Sequence, residues 1–203
     1  MPKTIVMNNI AIFASGSGTN AENLIRHFNH TGQSNACVKL LLSNNPKAYA
    51  IIRAANLGVP TRIFTRNELY DADVILQELR QQKIDLIVLA GFLWLMPEGV
   101  VSAFRRRMVN IHPALLPKYG GKGMYGMNVH RAVKAAGERE SGVTIHYVSS
   151  EYDRGDVIFQ ASCPVAPTDS PEDIAAKIHR LEQLHFPKVV EDVVAAGYNE
   201  NIP

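Results

Sequence analysis

Apolar runs and amphipathic stretches alternate along this chain almost from its start. Asn9 to Ser15 is β-rich and stops at Gly16-Ser17-Gly18-Thr19-Asn20, after which Leu24, Ile25 and Phe28 recur at helical spacing. Cys37 to Ser43 predicts a second strand, ended by Asn44-Asn45-Pro46. Lys47 to Leu57 predicts a helix with Ala50, Ile51, Ala54 and Ala55 inward and Gly58 as its stop. A short strand over Pro60 to Phe64 leads to an amphipathic helix over Asn67 to Gln82, with Leu69, Val74, Leu76 and Leu79 as its apolar side. Asp85 to Gly91 is uniformly apolar after its first residue, the pattern of a central strand buried on both faces. The order β-α-β-α-β-α-β predicts an α/β fold with a doubly wound, mostly parallel, Rossmann-like sheet and right-handed crossovers.

Beyond the middle the pattern changes. Met108 to Ile111 is the end of another apolar strand, stopped by Pro113 and Pro117, which cannot donate ladder hydrogen bonds. Tyr119 to Gly126 is too glycine-rich to pack on its own and reads as a mobile loop, a lid or substrate-side flap. A short helix over Asn128 to Ala136 ends near Gly137. The strands Gly142 to Val148 and Asp156 to Ala161 are joined by only Ser149 to Gly155, so they form a hairpin and the sheet turns mixed at this end. A last helix from Pro171 to about Ala196 carries Ile174, Ile178, Leu181 and Val189, with Pro187 expected to break or kink it. Repeats, low-complexity tracts and linkers are absent from the sequence. The expectation is one domain over 1–203, with an N-terminal half of about 9–110 and a C-terminal half of about 110–196.

Composition narrows the class without changing the fold. A chain of 203 residues with 46% hydrophobic content can bury a full core. A net charge of +2 spread along the chain gives no case for nucleic acid or a membrane surface. Arg105-Arg106-Arg107 is a short basic run that reads as a solvated strand entry. Cys37 and Cys163 are far apart and fit no metal spacing; buried, reduced thiols in a reducing compartment are the expectation. Met1 to Asn9 lack an apolar signal core and no run approaches membrane-spanning length, which points to a cytoplasmic protein.

Three stretches carry candidate chemistry. In an extended chain Asn110 and His112 point the same way, so an amide and a titratable imidazole share one strand edge. That pair can polarise a carbonyl and move a proton; taken alone, a capping Asn and a solvated His explain the same residues. The strand, glycine turn and helix around Gly16 to Asn20 aim free backbone N–H groups and a helix N-terminus at an anion, best a monophosphate. The dinucleotide fingerprint lacks its third glycine, and no Gly-Lys-Ser/Thr marks a Walker loop. The apolar turn Phe92-Leu93-Trp94-Leu95-Met96 lies at a strand's carboxyl end, where core cover and one wall of a flat-ligand pocket are equal readings. Glu151 and Asp153 are ordinary turn formers unless folding brings Asp153 to His112.

Taken together, Ser15-Gly-Ser-Gly-Thr-Asn20, Ala90-Gly91-Phe92, Asn110-Ile-His112-Pro-Ala-Leu-Leu-Pro117 and Asp153-Arg-Gly155 resemble the phosphoribosylglycinamide (GAR) formyltransferases, over about residues 9 to 195. The Asn-x-His-Pro run is shared with other folate-dependent formyltransferases and hydrolases; the glycine turn narrows the likeness to the purine-pathway enzyme and formyltetrahydrofolate hydrolases. The resemblance implies a formyltransferase fold and transfer of formyl from 10-formyltetrahydrofolate, a co-substrate, to the primary amine of GAR, with no metal. It implies Asn110, His112 and Asp153 as the catalytic group. It puts the GAR phosphate at Gly18, Thr19 and Asn20, and its amine and ribose beside Glu182, with neighbouring His179, Arg180 and Leu181. The folate would lie against Leu93, Trp94, Leu95 and Met96, near Asn67 and Asn110, and along Ser149, Ser150, Glu151, Tyr152 and Asp153.

The chain departs from its relatives at three places. Many have Arg where this one has Trp94; some have Arg aligned with Asn67, to which Arg66 is adjacent here. The loop after Tyr119 is longer than in the shortest relatives, with Asn128 where some carry His. The expected partners are the small molecules GAR and formylfolate, bound by a monomer or homodimer. Three rivals stand beside this reading. A formyltetrahydrofolate hydrolase would use water in place of the amine, and a binding module would hold a phosphorylated metabolite or folate without chemistry. A dinucleotide-dependent oxidoreductase is opposed by the missing third glycine and by the lack of an acidic residue at the tip of the second strand.

Overall fold

The computed structural model describes residues 7–31 and 34–197, so most of the Met1 to Asn9 segment lies outside the described residues. Seven strands form one sheet in the order β3-β2-β1-β4-β5-β6-β7. They are β1 (Asn8–Phe13), β2 (Ala36–Ser43), β3 (Thr61–Ile63), β4 (Leu86–Leu89), β5 (Met108–His112), β6 (Glu140–Tyr147) and β7 (Val157–Pro164). The first five pair in parallel; β5–β6 and β6–β7 are antiparallel. The mixed end therefore starts one strand earlier than the hairpin itself.

The helices are α1 (Thr19–His30), α2 (Tyr49–Asn56), α3 (Arg66–Tyr70), α4 (Ala72–Gln81), α5 (Glu98–Ala103), α6 (Met127–Ala135) and α7 (Pro171–Ala196). Strand side chains alternate between two cores. Ile10, Ile12 and Ala14 face α1, α2 and the second half of α7, while Ala11 and Phe13 face α3, α4 and α5. A smaller cluster joins Val129 and Val133 of α6 to Ile174 and Ile178 of α7. β1 and β4 are neighbours although β2 and β3 lie between them in sequence. The crevice at their carboxyl ends is where an open α/β sheet receives ligands.

Several boundaries differ from the periodicity. The stretch 67–82 is two helices, because Asp71 is extended (φ −81, ψ 90) and ends α3 with its N–H on Asn67 O at 2.8 Å. Thr65 and Glu68 form a capping box that starts α3 one residue early. The break turns Val74 outward, to 37% exposure, while Leu69, Leu76 and Leu79 stay buried. α2 is shorter than Lys47 to Leu57, since Asn45 holds the N–H groups of Lys47 and Ala48 in a turn. Its inner face is Ala50 and Ala54, one helical turn apart; Ala55 is exposed. Pro97 is the N-cap of α5, in extended conformation just outside the helix. Pro187 neither breaks nor ends α7: its missing N–H costs one hydrogen bond, and burial of Phe186, Val189 and Val190 around it holds the helix continuous. Cys37 and Cys163 are free thiols, half-buried where full burial was expected. Among the described residues no helix is long and apolar enough to cross a membrane.

Candidate active site

A cleft of about 790 Å³ opens at the carboxyl ends of β1, β4 and β5. Its walls include Gly16 to Asn20 at one end, Asn110, His112, Tyr152 and Asp153 at the other, and Ile178, His179 and Glu182 of α7 along the side. Gly121 to Gly126 cover it from the flap.

The glycine turn is held by backbone. Gly18 is the N-cap of α1 at φ 76 and offers no capping side chain, so the first-turn N–H groups face the cleft without an internal acceptor. Gly16 O accepts from Ala50 N at 3.1 Å, drawing α2 against the turn so closely that a Cβ on Gly18 would sit 2.4 Å from Ala50 Cα. Only a glycine fits both that contact and that φ. Behind the turn, Ser15 Oγ donates to Asn44 Oδ1 (2.7 Å) and accepts from Leu93 N (3.1 Å), which fixes the turns after β1, β2 and β4 to each other.

The other end is assembled from distant segments. β5 presents Asn110 and His112 two residues apart, and its pairing puts His146 of β6 directly opposite Asn110. His146 Nδ1 donates to Tyr147 O at 2.8 Å, and Nε2 faces Asn110 Nδ2 at 3.0 Å. One hydrogen of the Asn110 amide is thereby engaged and the second is left for the cleft. His112 Nε2 donates to Tyr119 O at 2.8 Å, while Nδ1 lies 3.5 Å from Asp153 Oδ1. Asp153 Oδ1 is also 3.7 Å from His146 Nε2, and Oδ2 accepts from Gly121 N at 2.8 Å. The flap is thus attached to the imidazole and the carboxylate at once. Asp153 sits at φ 55, a conformation Asp and Asn tolerate better than most residues, and Gly155 lets the turn close where a Cβ would lie 1.7 Å from Tyr147 O.

Electrostatics separate the two partners. Burial pushes the His112 imidazole below its ordinary 6.5; the Asp153 charge and the Tyr119 carbonyl pull upward without overcoming it. Burial pushes the Asp153 carboxyl upward, but the neighbouring His146 and His112 rings and the Gly121 N–H outweigh it and hold the group below the usual carboxylate range. At neutral pH the pair is a neutral imidazole beside a carboxylate, ready to become an imidazolium once a proton arrives.

Around this frame the expected residues divide. Gly18, Thr19, Asn20, His179 and Glu182 share the cleft; Asn20 Nδ2 donates to Glu182 Oε2 at 3.1 Å, and His179 Nδ1 lies 3.3 Å from the same oxygen. Arg180 and Leu181 fall outside the lining, with Leu181 packed on the α6/α7 cluster. Leu93 lines the main cleft. Trp94, Leu95, Met96, Ser149, Glu151, Tyr152 and Asp153 line a smaller hollow, which shares Phe92, Asn110, Tyr152 and Asp153 with the cleft. At about 50 Å³ the hollow has room for a water or two and none for a bicyclic ring. Ser150 and Asn67 line neither space. Arg66, beside Asn67, places its guanidinium over the rings of Tyr70 (4.8 Å) and Trp94 (5.6 Å). Among the described residues no group of three His, Cys, Asp or Glu is arranged to hold a metal ion.

Sequence reasoning missed His146, His130 and the main-chain atoms of Tyr119 and Gly121. His146 had a signal: a lone imidazole inside the apolar run Gly142 to Val148, on a strand adjacent to the one bearing Asn110. The two main-chain contacts had none.

Comparison with known proteins agrees with this architecture. The formyl transferase family pattern matches residues 8–190. The chloroplastic phosphoribosylglycinamide formyltransferase of Arabidopsis thaliana is 38% identical over 198 residues, 95% of this chain and 66% of the relative. This chain therefore spans just under two thirds of that relative's length. The phosphoribosylglycinamide formyltransferase of Haemophilus influenzae is 36% identical, with 91% of this chain and 86% of the relative covered. The crystal structure of glycinamide ribonucleotide transformylase 1 from Geobacillus kaustophilus superimposes with a TM-score of 0.84 at 37% identity, covering 92% of this chain and 98% of that one. The family pattern over residues 8–190, the identity to relatives over most of the chain and the shared fold lead to one conclusion: this chain belongs to the formyl transferase family.

Proposed function

We propose that the protein transfers the formyl group of 10-formyltetrahydrofolate to the amine of GAR, giving formyl-GAR and tetrahydrofolate for purine synthesis. The observation that carries this reading is a continuous cleft with an anion-binding turn at one end and the Asn110–His112–Asp153 group at the other. A phosphorylated acceptor with a primary amine has the shape of that cleft, and the names borne by the relatives above point the same way.

The acceptor phosphate sits on the N–H groups of Gly18 to Asn20, and its ribose lies along Glu182 and His179. The formyl donor approaches from the Trp94 side, where its ring needs the Ser149–Asp153 turn to move off the wall, since the hollow is too small as it stands. The acceptor phosphate then lies in the N-terminal half and the Ser149–Asp153 turn in the C-terminal half, while Glu182 and His179 reach the acceptor from the C-terminal half and Trp94 meets the donor from the N-terminal half. As the amine attacks the formyl carbon, the C–N bond forms and the carbonyl π pair moves to oxygen. The free hydrogen of Asn110 Nδ2 meets that oxyanion. His112 Nε2 is committed to Tyr119 O, so Nδ1 is the nitrogen that takes up a proton released by the amine, and the ionised Asp153 stabilises the imidazolium. The tetrahedral species then collapses: the bond from carbon to the folate nitrogen breaks with its electron pair on that nitrogen, which receives the proton directly or through water.

The test mixes purified protein with GAR and a 10-formylfolate donor, follows the deformylated folate optically, and repeats without GAR. Product only with GAR is the expected result. Product in both mixtures would make the protein a formyltetrahydrofolate hydrolase, and none in either would leave only binding.

A further inference from the structure

His130 is a histidine of the cleft to which no role has been given. It lies in the first half of α6, is 5% exposed, and shares the cleft wall with His112, Ile178 and Glu182. Its Nδ1 is sealed from solvent and has no hydrogen-bond partner. Native folds leave few buried polar atoms unmet, because the lost solvation is not recovered, so each one calls for a reason. Val129 and Val133 on the same helix pack with Ile174 and Ile178 of α7, which fixes α6 against α7 beside the cleft. The ring lines the cleft, and among the described residues its Nε2 makes no hydrogen bond and is not sealed as Nδ1 is, so Nε2 is the atom that a partner in the cleft can reach.

The chemistry of that partner follows from the ring's surroundings. Burial first, and second the repulsion it would meet from a protonated His112, hold the imidazole below its ordinary 6.5, so at neutral pH it is uncharged, with one N–H and one lone pair. A dry neutral ring suits an uncharged polar group and gives no counter-charge to a phosphate. The phosphate end is in any case supplied by the glycine turn. We propose that His130 is a substrate-binding residue that hydrogen-bonds the glycinamide arm of the acceptor, through its amide or its deprotonated amine, and aims the nucleophilic nitrogen at His112. This rests on the acceptor being GAR, and it adds a contact on the arm between the phosphate turn and the reacting centre.

The test uses the full chain with His130→Phe, which keeps a flat ring and removes both nitrogens, and His130→Gln, which restores a hydrogen-bonding group of similar reach. Without ligand, His130→Phe should melt at the wild-type temperature or above, since it removes an unmet polar atom. With substrates, its KM for GAR should rise roughly tenfold, the loss of about one hydrogen bond, while the KM for the formyl donor stays constant. His130→Gln should recover part of the loss. Should the phenylalanine not be accommodated, His130→Leu makes the same comparison. An unchanged KM for GAR would overturn the inference, as would a lower unliganded melting temperature with both KM values raised alike, the mark of a packing role. A wild-type protein with no GAR-dependent turnover would sink the assigned reaction and this contact with it; normal turnover with an indifferent His130→Phe sinks the contact alone.

Discussion

One end of the cleft is walled by a single backbone turn, Gly16 to Asn20, whose N–H groups from Gly18 to Asn20 are proposed above to hold the acceptor phosphate. The other end is built from side chains of β5, β6 and the β6–β7 turn, tied together by main-chain atoms of Tyr119 and Gly121. The first end is a property of local backbone and depends on what is missing, a Cβ at Gly18. The second is a property of the whole fold and depends on what is present, an imidazole and a carboxylate held 3.5 Å apart. The two should therefore fail differently. Damage to the turn should weaken acceptor binding and strain the fold, whereas damage to the assembled group should stop the chemistry in a well-folded protein.

The largest effect is expected at the assembled end. Asp153→Asn keeps a residue suited to φ 55 and preserves the shape of the side chain, so the fold should persist while the charge opposite His112 is lost. Turnover should fall about 10² to 10⁴-fold, and His112→Ala should do the same, with KM for GAR little changed. Near wild-type kcat in either variant would remove the pair from the mechanism. At the turn, Gly18→Ala meets Ala50 Cα at 2.4 Å and a positive φ, and should cost on the order of 1–3 kcal/mol of stability by denaturant unfolding. The same variant should show its kinetic loss as a raised KM for GAR. Gly16→Ala, with nothing within 4 Å of the added Cβ, serves as the control and should unfold like wild type. Equal behaviour of the two alanines would erase the contrast between the ends.

The same contrast explains what could be read along the chain. Strand and helix order followed from apolar periodicity, and the tight glycine turn at the cleft from a strand–glycine–helix run, because both are written in neighbouring residues. Asn110 and His112 were legible as a pair since strand geometry alone puts i and i+2 on one side. Their company was not. Asp153 lies 41 residues beyond His112 in sequence (153 − 112) and reaches it only because β5, β6 and β7 fold back antiparallel. His146 is set by the register Asn110↔His146, and a one-residue slip would turn it away. Tyr119 O and Gly121 N are main-chain atoms with no sequence signature at all. The helix break at Asp71 is a capping effect of single residues that an averaged hydrophobic period passes over.

His146 sharpens the comparison at an intermediate level. It touches no expected substrate atom, yet it orients the Asn110 amide from the facing strand at 3.0 Å. His146→Phe should leave the His112–Asp153 pair in place and free the amide to rotate. A fall in kcat of roughly tenfold is expected, the worth of one misaligned hydrogen-bond donor, with the KM for GAR unmoved. A drop as large as that of Asp153→Asn would mean that the ring takes part in proton transfer and does more than orient Asn110.

The smallest effect concerns stability against pH, and it separates buried neutral rings from the charged carboxylate beside them. His112 and His130 both have folded-state pKa values below the ordinary 6.5, so the unfolded chain binds more protons than the native state as the pH drops past that value. Their contribution is complete above pH 6.5 and is lost as the pH falls through the depressed folded values. Asp153, also held below its unfolded value, keeps its contribution until the pH falls below the usual carboxylate range. Melting temperature should therefore begin to decline just below pH 6.5, ahead of carboxylate titration. In His130→Phe one of the two rings is gone, and the decline between about pH 6.5 and 5 should be shallower by a degree or so, the size of a fraction of a kcal/mol in a domain of this length. Parallel curves for the two proteins would show that His130 is as ready to be charged in the folded protein as in the unfolded chain, and so is not the dry, uncharged ring that the cleft wall makes of it.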